Sequence, residues 1–167
     1  MALSNKNIIR ALSSRNYRLF FTGQGISLIG TWMQSIAMSW LVYRLTGSTL
    51  LLGVVGFAGQ IPSFVFTPFA GVLADRWNRH HILVVTQSLA MVQAFITAGL
   101  ALTGVITVWH LIVLSIFLGL VNSFDIPARQ ALVVLIIEKK EDLPNAIALN
   151  SFLFNGARLV GPTLPAY

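Results

Sequence analysis

Three stretches of this chain contain no Asp, Glu, Lys or Arg: Leu19 to Tyr43 with 25 residues, Leu45 to Ala74 with 30, and His80 to Phe124 with 45. A helix rises 1.5 Å per residue, so roughly 20 apolar residues cross the hydrocarbon core of a bilayer. The first two runs each fit one crossing. The third fits two, joined by a short loop near Thr103 to Val108. Composition points the same way. Of the 167 residues 56% are hydrophobic and 10% charged, whereas a soluble domain carries about 25% charge. The expected fold class is an all-α polytopic membrane protein, with spans at about 19–43, 50–73, 82–102, 109–131 and 144–167 after a cytoplasmic N-terminus of residues 1–18.

Orientation follows from the basic residues. With the N-terminus in the cytoplasm, the inner side holds Lys6, Arg10, Arg15, Arg18, Arg76, Arg79, Arg129, Lys139 and Lys140, and the outer side holds Arg44 alone. This is a strong positive-inside bias. The net charge of +6 is thereby accounted for by orientation and anionic headgroups, with no nucleic-acid partner required. The first run is too long for a signal-peptide core and no A-x-A pattern follows it closely. There is no cysteine, which removes disulfides and thiolate metal sites. His80, His81 and His110 have no carboxylate at metal-ligand spacing, and no Walker-type phosphate loop occurs. Neither an enzyme nor a cofactor is expected, and no metal site.

Between the second and third spans runs "GVLADRWNRHH", Gly71 to His81. It resembles the signature of the major facilitator superfamily in that same link, G-x-L-x-D-R-x-G-R-[RK], carried here by Gly71, Leu73, Asp75, Arg76 and Arg79. Asn78 stands where the signature has a glycine and His80 where it has a basic residue; asparagine tolerates the positive φ that such a turn would demand. Asp125 falls 16 residues after Trp109, roughly 24 Å along its helix, close to the inner edge of the core and level with Asp75 and Arg79. A carboxylate there needs a partner, and Arg79 is the expected one. Asp75, Arg79 and Asp125 resemble the superfamily's charge relay, which implies a gate that latches the N-terminal bundle to the C-terminal one. The plainer reading is a solvated link that satisfies charge bias alone.

Further stretches narrow the resemblance. "ALSSRNYRLFFTGQGISLIGTWMQSIAMSWLVYRLTGS", "NSFDIPARQALV" and "DLPNAIALNSFLFNGARLVGP" are similar to the drug:proton antiporter-3 branch, which includes siderophore exporters and macrolide efflux permeases. Gly161 and Pro162 fit the span-five antiporter motif of that branch loosely, while Pro165 and Ala166 occupy the places of its glycine pair. The resemblance implies alternating access between two six-helix bundles, export of a small organic molecule from a bacterial cytoplasm through the inner membrane, and proton antiport. The titrating group would be the Asp125/Asp75 pair or a residue downstream. Because only 24 residues run from Pro144, where the fifth span begins, to the end of the chain, the expectation is a partial exporter lacking its C-terminal bundle. The alternative is a small five-span membrane protein that binds a partner and transports nothing.

Three residues within the spans are candidates for a substrate cavity: Trp32 and Gln34 in the middle of span one, and Arg158, roughly 21 Å past Pro144. An arginine at that depth costs about 2.5–3.5 kcal/mol on insertion scales unless it meets a cavity or a partner. No acid lies at its level, which leaves a downstream residue, water, a backbone carbonyl or an anionic substrate. A purely structural role is the competing reading. Gly53, Gly56 and Gly59 mark a small-residue face for close helix approach, and Pro62, Pro68, Pro127 and Pro162 are expected to kink or break helices.

Overall fold

The computed structural model describes residues 14–137 and 143–163, without the side chains of residues 75, 143 and 160–163. Among them are five helices: α1, Arg15–Thr46; α2, Thr49–Arg76; α3, Arg79–Leu102; α4, Val108–Ile136; and α5, Leu143–Thr163. Helices α1 to α4 are long and apolar enough to cross a membrane. They run past the apolar runs at their ends: α1 starts at Arg15 rather than Leu19 and ends at Thr46 rather than Tyr43. Its 32 residues span about 48 Å against a core of about 30 Å, so its ends, with Arg15, Arg18 and Arg44, extend beyond the hydrocarbon or the helix tilts.

Local chemistry starts or stops several of the helices. Gly47 takes φ 61° and donates its N–H to the Tyr43 carbonyl at 2.8 Å, closing α1. The next residue, Ser48, caps α2, its Oγ accepting the Leu51 N–H at 3.3 Å. Gly104, at φ 72°, turns the chain after α3. At the start of α4 the Thr107 N–H donates to His110 Nδ1 at 3.1 Å, so this interfacial histidine works as a capping acceptor. Pro62, Pro68 and Pro127 do not break their helices; α2 and α4 run through them, and the missing N–H bonds leave the helical path intact.

The chain divides into two compact units. One comprises residues 38–132. Its buried apolar cluster is Met38, Val42, Val55, Ile106 and Leu111, backed by Leu41, Leu51, Leu52, Leu100, Val108 and Ile112. Helices α2 and α4 cross here through small residues. A Cβ added to Gly119 would collide with the Gly59 carbonyl oxygen and lie 3.3 Å from Pro62 Cδ, and one added to Gly59 would touch Ser115. Ser63 Oγ donates to the Gly119 carbonyl at 2.8 Å. Gly59 and Ser63 on α2 thus face Ser115 and Gly119 on α4, a reciprocal small-xxx-small pair. Gly53 and Gly56 have open space around them, so only the last of the three evenly spaced glycines makes the close approach. Gln93 of α3, 1% exposed, donates to Thr97 Oγ1 at 3.3 Å and to the Leu114 carbonyl at 3.4 Å, tying α3 to α4.

The other unit comprises residues 1–37 and 133–167. Tyr17, Val133 and Ala146 form its buried cluster, with Phe20, Phe21, Ile136, Ile137 and Leu149 around them. The Tyr17 hydroxyl donates to the Ala146 carbonyl at 3.1 Å, pinning the start of α5 to the start of α1. Farther along, Leu153 Cδ1 lies 3.1 Å from where a Gly25 Cβ would be. Elsewhere the outward faces are greasy, with Ile26, Leu50, Phe57, Phe64, Phe69, Phe95 and Phe152 exposed, as a bilayer as solvent requires.

Candidate gate and cavity residues

The stretch from Gly71 to His81 is mostly helix rather than link. Gly71, Leu73, Asp75 and Arg76 occupy the last turns of α2, Trp77 caps its C-terminus, and Arg79 is the first residue of α3. Only Trp77 and Asn78 lie between. Asn78 has φ −67° and ψ 109°, so it does not take the positive φ expected at the signature's glycine. Instead its Oδ1 accepts the N–H groups of His80 at 3.0 Å and His81 at 3.4 Å. Asparagine is among the best N-cap residues, and here it starts α3 where a glycine would only permit a turn. A side chain at Gly71 would meet open space. The Asp75 side chain lies outside the described residues.

Asp125 is the focus of a polar cluster in the unit formed by residues 38–132. It is 2% exposed and accepts from three donors. Thr86 Oγ1 and Gln87 Nε2 of α3 each reach Oδ1 at 2.9 Å, and Arg129, one turn on along α4, pairs with Oδ2. The Leu83 carbonyl, 3.1 Å from the same hydroxyl, is the alternative acceptor for its single proton. The geometry is that of a carboxylate fully solvated by protein, and it joins α3 to α4 by charge-assisted hydrogen bonds in an apolar surrounding, where such bonds are strongest. Arg129 entered the sequence reading only as an inner-side charge. The signal that could have found it is the spacing: Asp125 and Arg129 are an i,i+4 pair, acid first, the favoured order on a helix. Thr86 and Gln87 carry no comparable signal.

In the unit formed by residues 1–37 and 133–167, α1 and α5 bring together Trp32, Phe154 and Arg158. The Arg158 guanidinium carbon lies 5.5 Å from the centre of the Trp32 ring, and Phe154 meets the same indole edge-on at 5.8 Å. The partners expected for Arg158 did not include an aromatic face, yet a cation over tryptophan is a favourable contact that strengthens on desolvation. Phe154 and Arg158 are one turn apart and share a face of α5. Gln34 lies two residues on from Trp32, about 200° around α1. Gln24 is a second residue that sequence reasoning passed over. It is buried, and its amide nitrogen has no hydrogen-bond partner among the described residues; with Leu28 and Trp32 it forms an i, i+4, i+8 stripe along α1. Gly161 and Pro162 fall in the last turn of α5, their surroundings outside the described residues, as are Pro165 and Ala166.

Residues 9–166 match the transmembrane secretion effector family of the major facilitator superfamily. The chain belongs to that family. It is 24% identical over 148 residues to the staphyloferrin A transporter of Staphylococcus aureus, covering 88% of this chain and 37% of the transporter. It is 26% identical over 155 residues to macrolide efflux protein A of Streptococcus pyogenes, covering 90% and 38%. To the multidrug efflux pump Tap of Mycolicibacterium fortuitum it is 27% identical over 144 residues, covering 84% and 34%. The chain therefore spans little more than a third of the length of the curated relatives it matches. No solved structure matches it significantly. For a major facilitator chain, a buried acid-centred cluster joining α3 to α4 and a cation held on an aromatic face between α1 and α5 are two features with chemistry to offer.

Proposed function

We propose that this chain is the N-terminal bundle portion of an exporter that moves a small organic molecule, siderophore-like or drug-like, out of a bacterial cytoplasm across the inner membrane. The N-terminus faces the cytoplasm, and a second bundle of the same polypeptide completes the path by alternating access. The observation that carries the reading is Asp125: an acid held by Thr86, Gln87 and Arg129 inside an apolar helix pair. Groups of this kind are expensive in a membrane and are kept for ion or substrate pathways and for gating.

In this reading Asp125 and Arg129, with Asp75, Arg76 and Arg79 of the Gly71–Leu73 signature, form the cytoplasmic gate. The cluster locks α3 to α4, so that the gate moves as one body against the opposing bundle. The chain contains no Walker-type loop, and proton entry rather than nucleotide hydrolysis is the drive we assign. Trp32, Phe154 and Arg158 offer a flat aromatic face with a cation upon it, which suits a planar or anionic part of the cargo.

The test is efflux from cells carrying the full-length protein, with a macrolide and a siderophore as cargoes. Asp125→Asn is expected to lower export roughly tenfold, the equivalent of about 1.4 kcal/mol on a rate, at an unchanged amount of protein in the membrane. Export of both cargoes at the wild-type rate would remove Asp125 from the mechanism. Arg158→Gln is expected to depress export of anionic cargo more than of cationic cargo; equal export of both would sink its substrate role.

A further inference from the structure

At the end of the α2–α3 link, within residues 38–132, there is a hollow of about 630 Å³. Arg76, Trp77 and His81 stand at its mouth, and its walls are apolar, from Val85 and Leu89 on α3 and from Phe117 and Val121 on α4. None of the described residues lining it is acidic. We propose that this hollow is a binding site for one anionic phospholipid, with the phosphate at Arg76 and His81 and an acyl chain between α3 and α4.

Three observations fit a lipid better than another helix. The hollow is amphipathic along its length: the Arg76 guanidinium and the polar side chains of Asn78 and His81 lie where α2 stops and α3 starts, and hydrocarbon lies beyond. Arg76, Trp77 and His81 are all exposed, and Trp77 has the amphipathic ring that settles at headgroup level. The depth is also that of one leaflet. From His81 to Leu89 is eight residues, about 12 Å along α3, less than half of a core about 30 Å thick. The lining of the hollow ends at Leu89 on α3 and at Phe117 on α4. A spanning helix would need an open groove along the whole pair, whereas an acyl chain needs one half. A basic side chain such as Arg76 at a membrane surface attracts anionic headgroups, which sets the preference. In the N-in orientation proposed above, the leaflet is the cytoplasmic one.

Two experiments on the full-length protein test this. In the first, a photo-reactive phenylalanine analogue is placed at Leu89 or Val121 and irradiated in native membranes. The expected adduct has the mass of a phospholipid; an adduct to polypeptide would show that a helix fills the hollow and would overturn the proposal. In the second, purified protein is exchanged into nanodiscs of phosphatidylglycerol mixed equally with phosphatidylcholine, and retained lipid is counted by native mass spectrometry. A several-fold preference for phosphatidylglycerol is expected, lost in Arg76→Gln/His81→Gln, while Leu89→Trp should reduce retention of both lipids. Equal retention of the two lipids by the unaltered protein overturns the proposal. So does an unchanged preference in Arg76→Gln/His81→Gln, provided helix content by circular dichroism is the same.

Discussion

Asp125 and Arg129 depend on each other because a lone ion in an apolar interior is far less stable than a pair. Removing Arg129 leaves an uncompensated carboxylate, and Arg129→Leu is expected to destabilise the protein by roughly 3–5 kcal/mol. Replacing both, as Asp125→Asn/Arg129→Leu, should recover much of that loss. Thr86→Val deletes one hydrogen bond between helices and should cost about 0.6 kcal/mol, the usual value in membranes. Unfolding in detergent followed by circular dichroism would rank the three; a double variant no better than Arg129→Leu would show that the pair is not coupled. For Arg158 the relevant neighbour is Trp32. Trp32→Ala is expected to destabilise by about 0.5–2 kcal/mol through the lost cation–π contact, and Trp32→Phe by less. If the loss in Trp32→Ala persists in an Arg158→Gln background, it belongs to packing of the indole on Phe154 and not to the cation.

At the scale of the elements, two positions decide how helices begin and how they cross. Asn78 satisfies the first N–H groups of α3 with one side chain, so Asn78→Ala should lower stability by about 1 kcal/mol and Asn78→Gly by only a few tenths. The near neutrality of glycine is informative because the family signature has glycine at this place. The crossing of α2 and α4 is stricter. Gly119 has no room for a Cβ against the Gly59 carbonyl, and Gly119→Leu should cost at least about 1–3 kcal/mol by forcing the backbones apart. Gly53→Ala, in open space, should be tolerated. Equal tolerance of both substitutions in detergent unfolding would mean that the crossing is not tight. The three evenly spaced glycines of α2, Gly53, Gly56 and Gly59, are visible as a pattern, but one spaced pattern cannot say which member meets the partner. Gly119 stands alone in its own helix and became meaningful only opposite Gly59.

At the scale of the whole molecule, the proposed direction across the membrane makes a labelling prediction. The chain contains no cysteine, so single cysteines can be read without background. In the N-in orientation Thr49→Cys and Val105→Cys, both at exposed sites, should react with a membrane-impermeant maleimide in intact cells. His80→Cys should react only after permeabilisation. The reverse pattern would place the Gly71–His81 signature outside and end its role as a cytoplasmic gate. The nine-to-one distribution of basic residues argues against that reversal, since basic residues in short links resist translocation.

Sequence alone determined the class of the protein. Charge-free runs of 25, 30 and 45 residues leave a chain little choice but to span a bilayer as helices, because every backbone polar group must be bonded within its own segment. It determined the family too, through a short charged signature in a recognisable place. It also singled out Asp125 and Arg158, because an ion in an apolar run is conspicuous whatever the fold. Tertiary structure alone decided the partners of those ions. Thr86, Gln87 and Trp32 are common residues in unremarkable surroundings, 39, 38 and 126 positions away from the charges they hold. Hydrophobic periodicity says which side chains leave the lipid, but it does not say which helix stands opposite. That choice rests on close packing at a few small residues, and it becomes visible only when the helices are brought together.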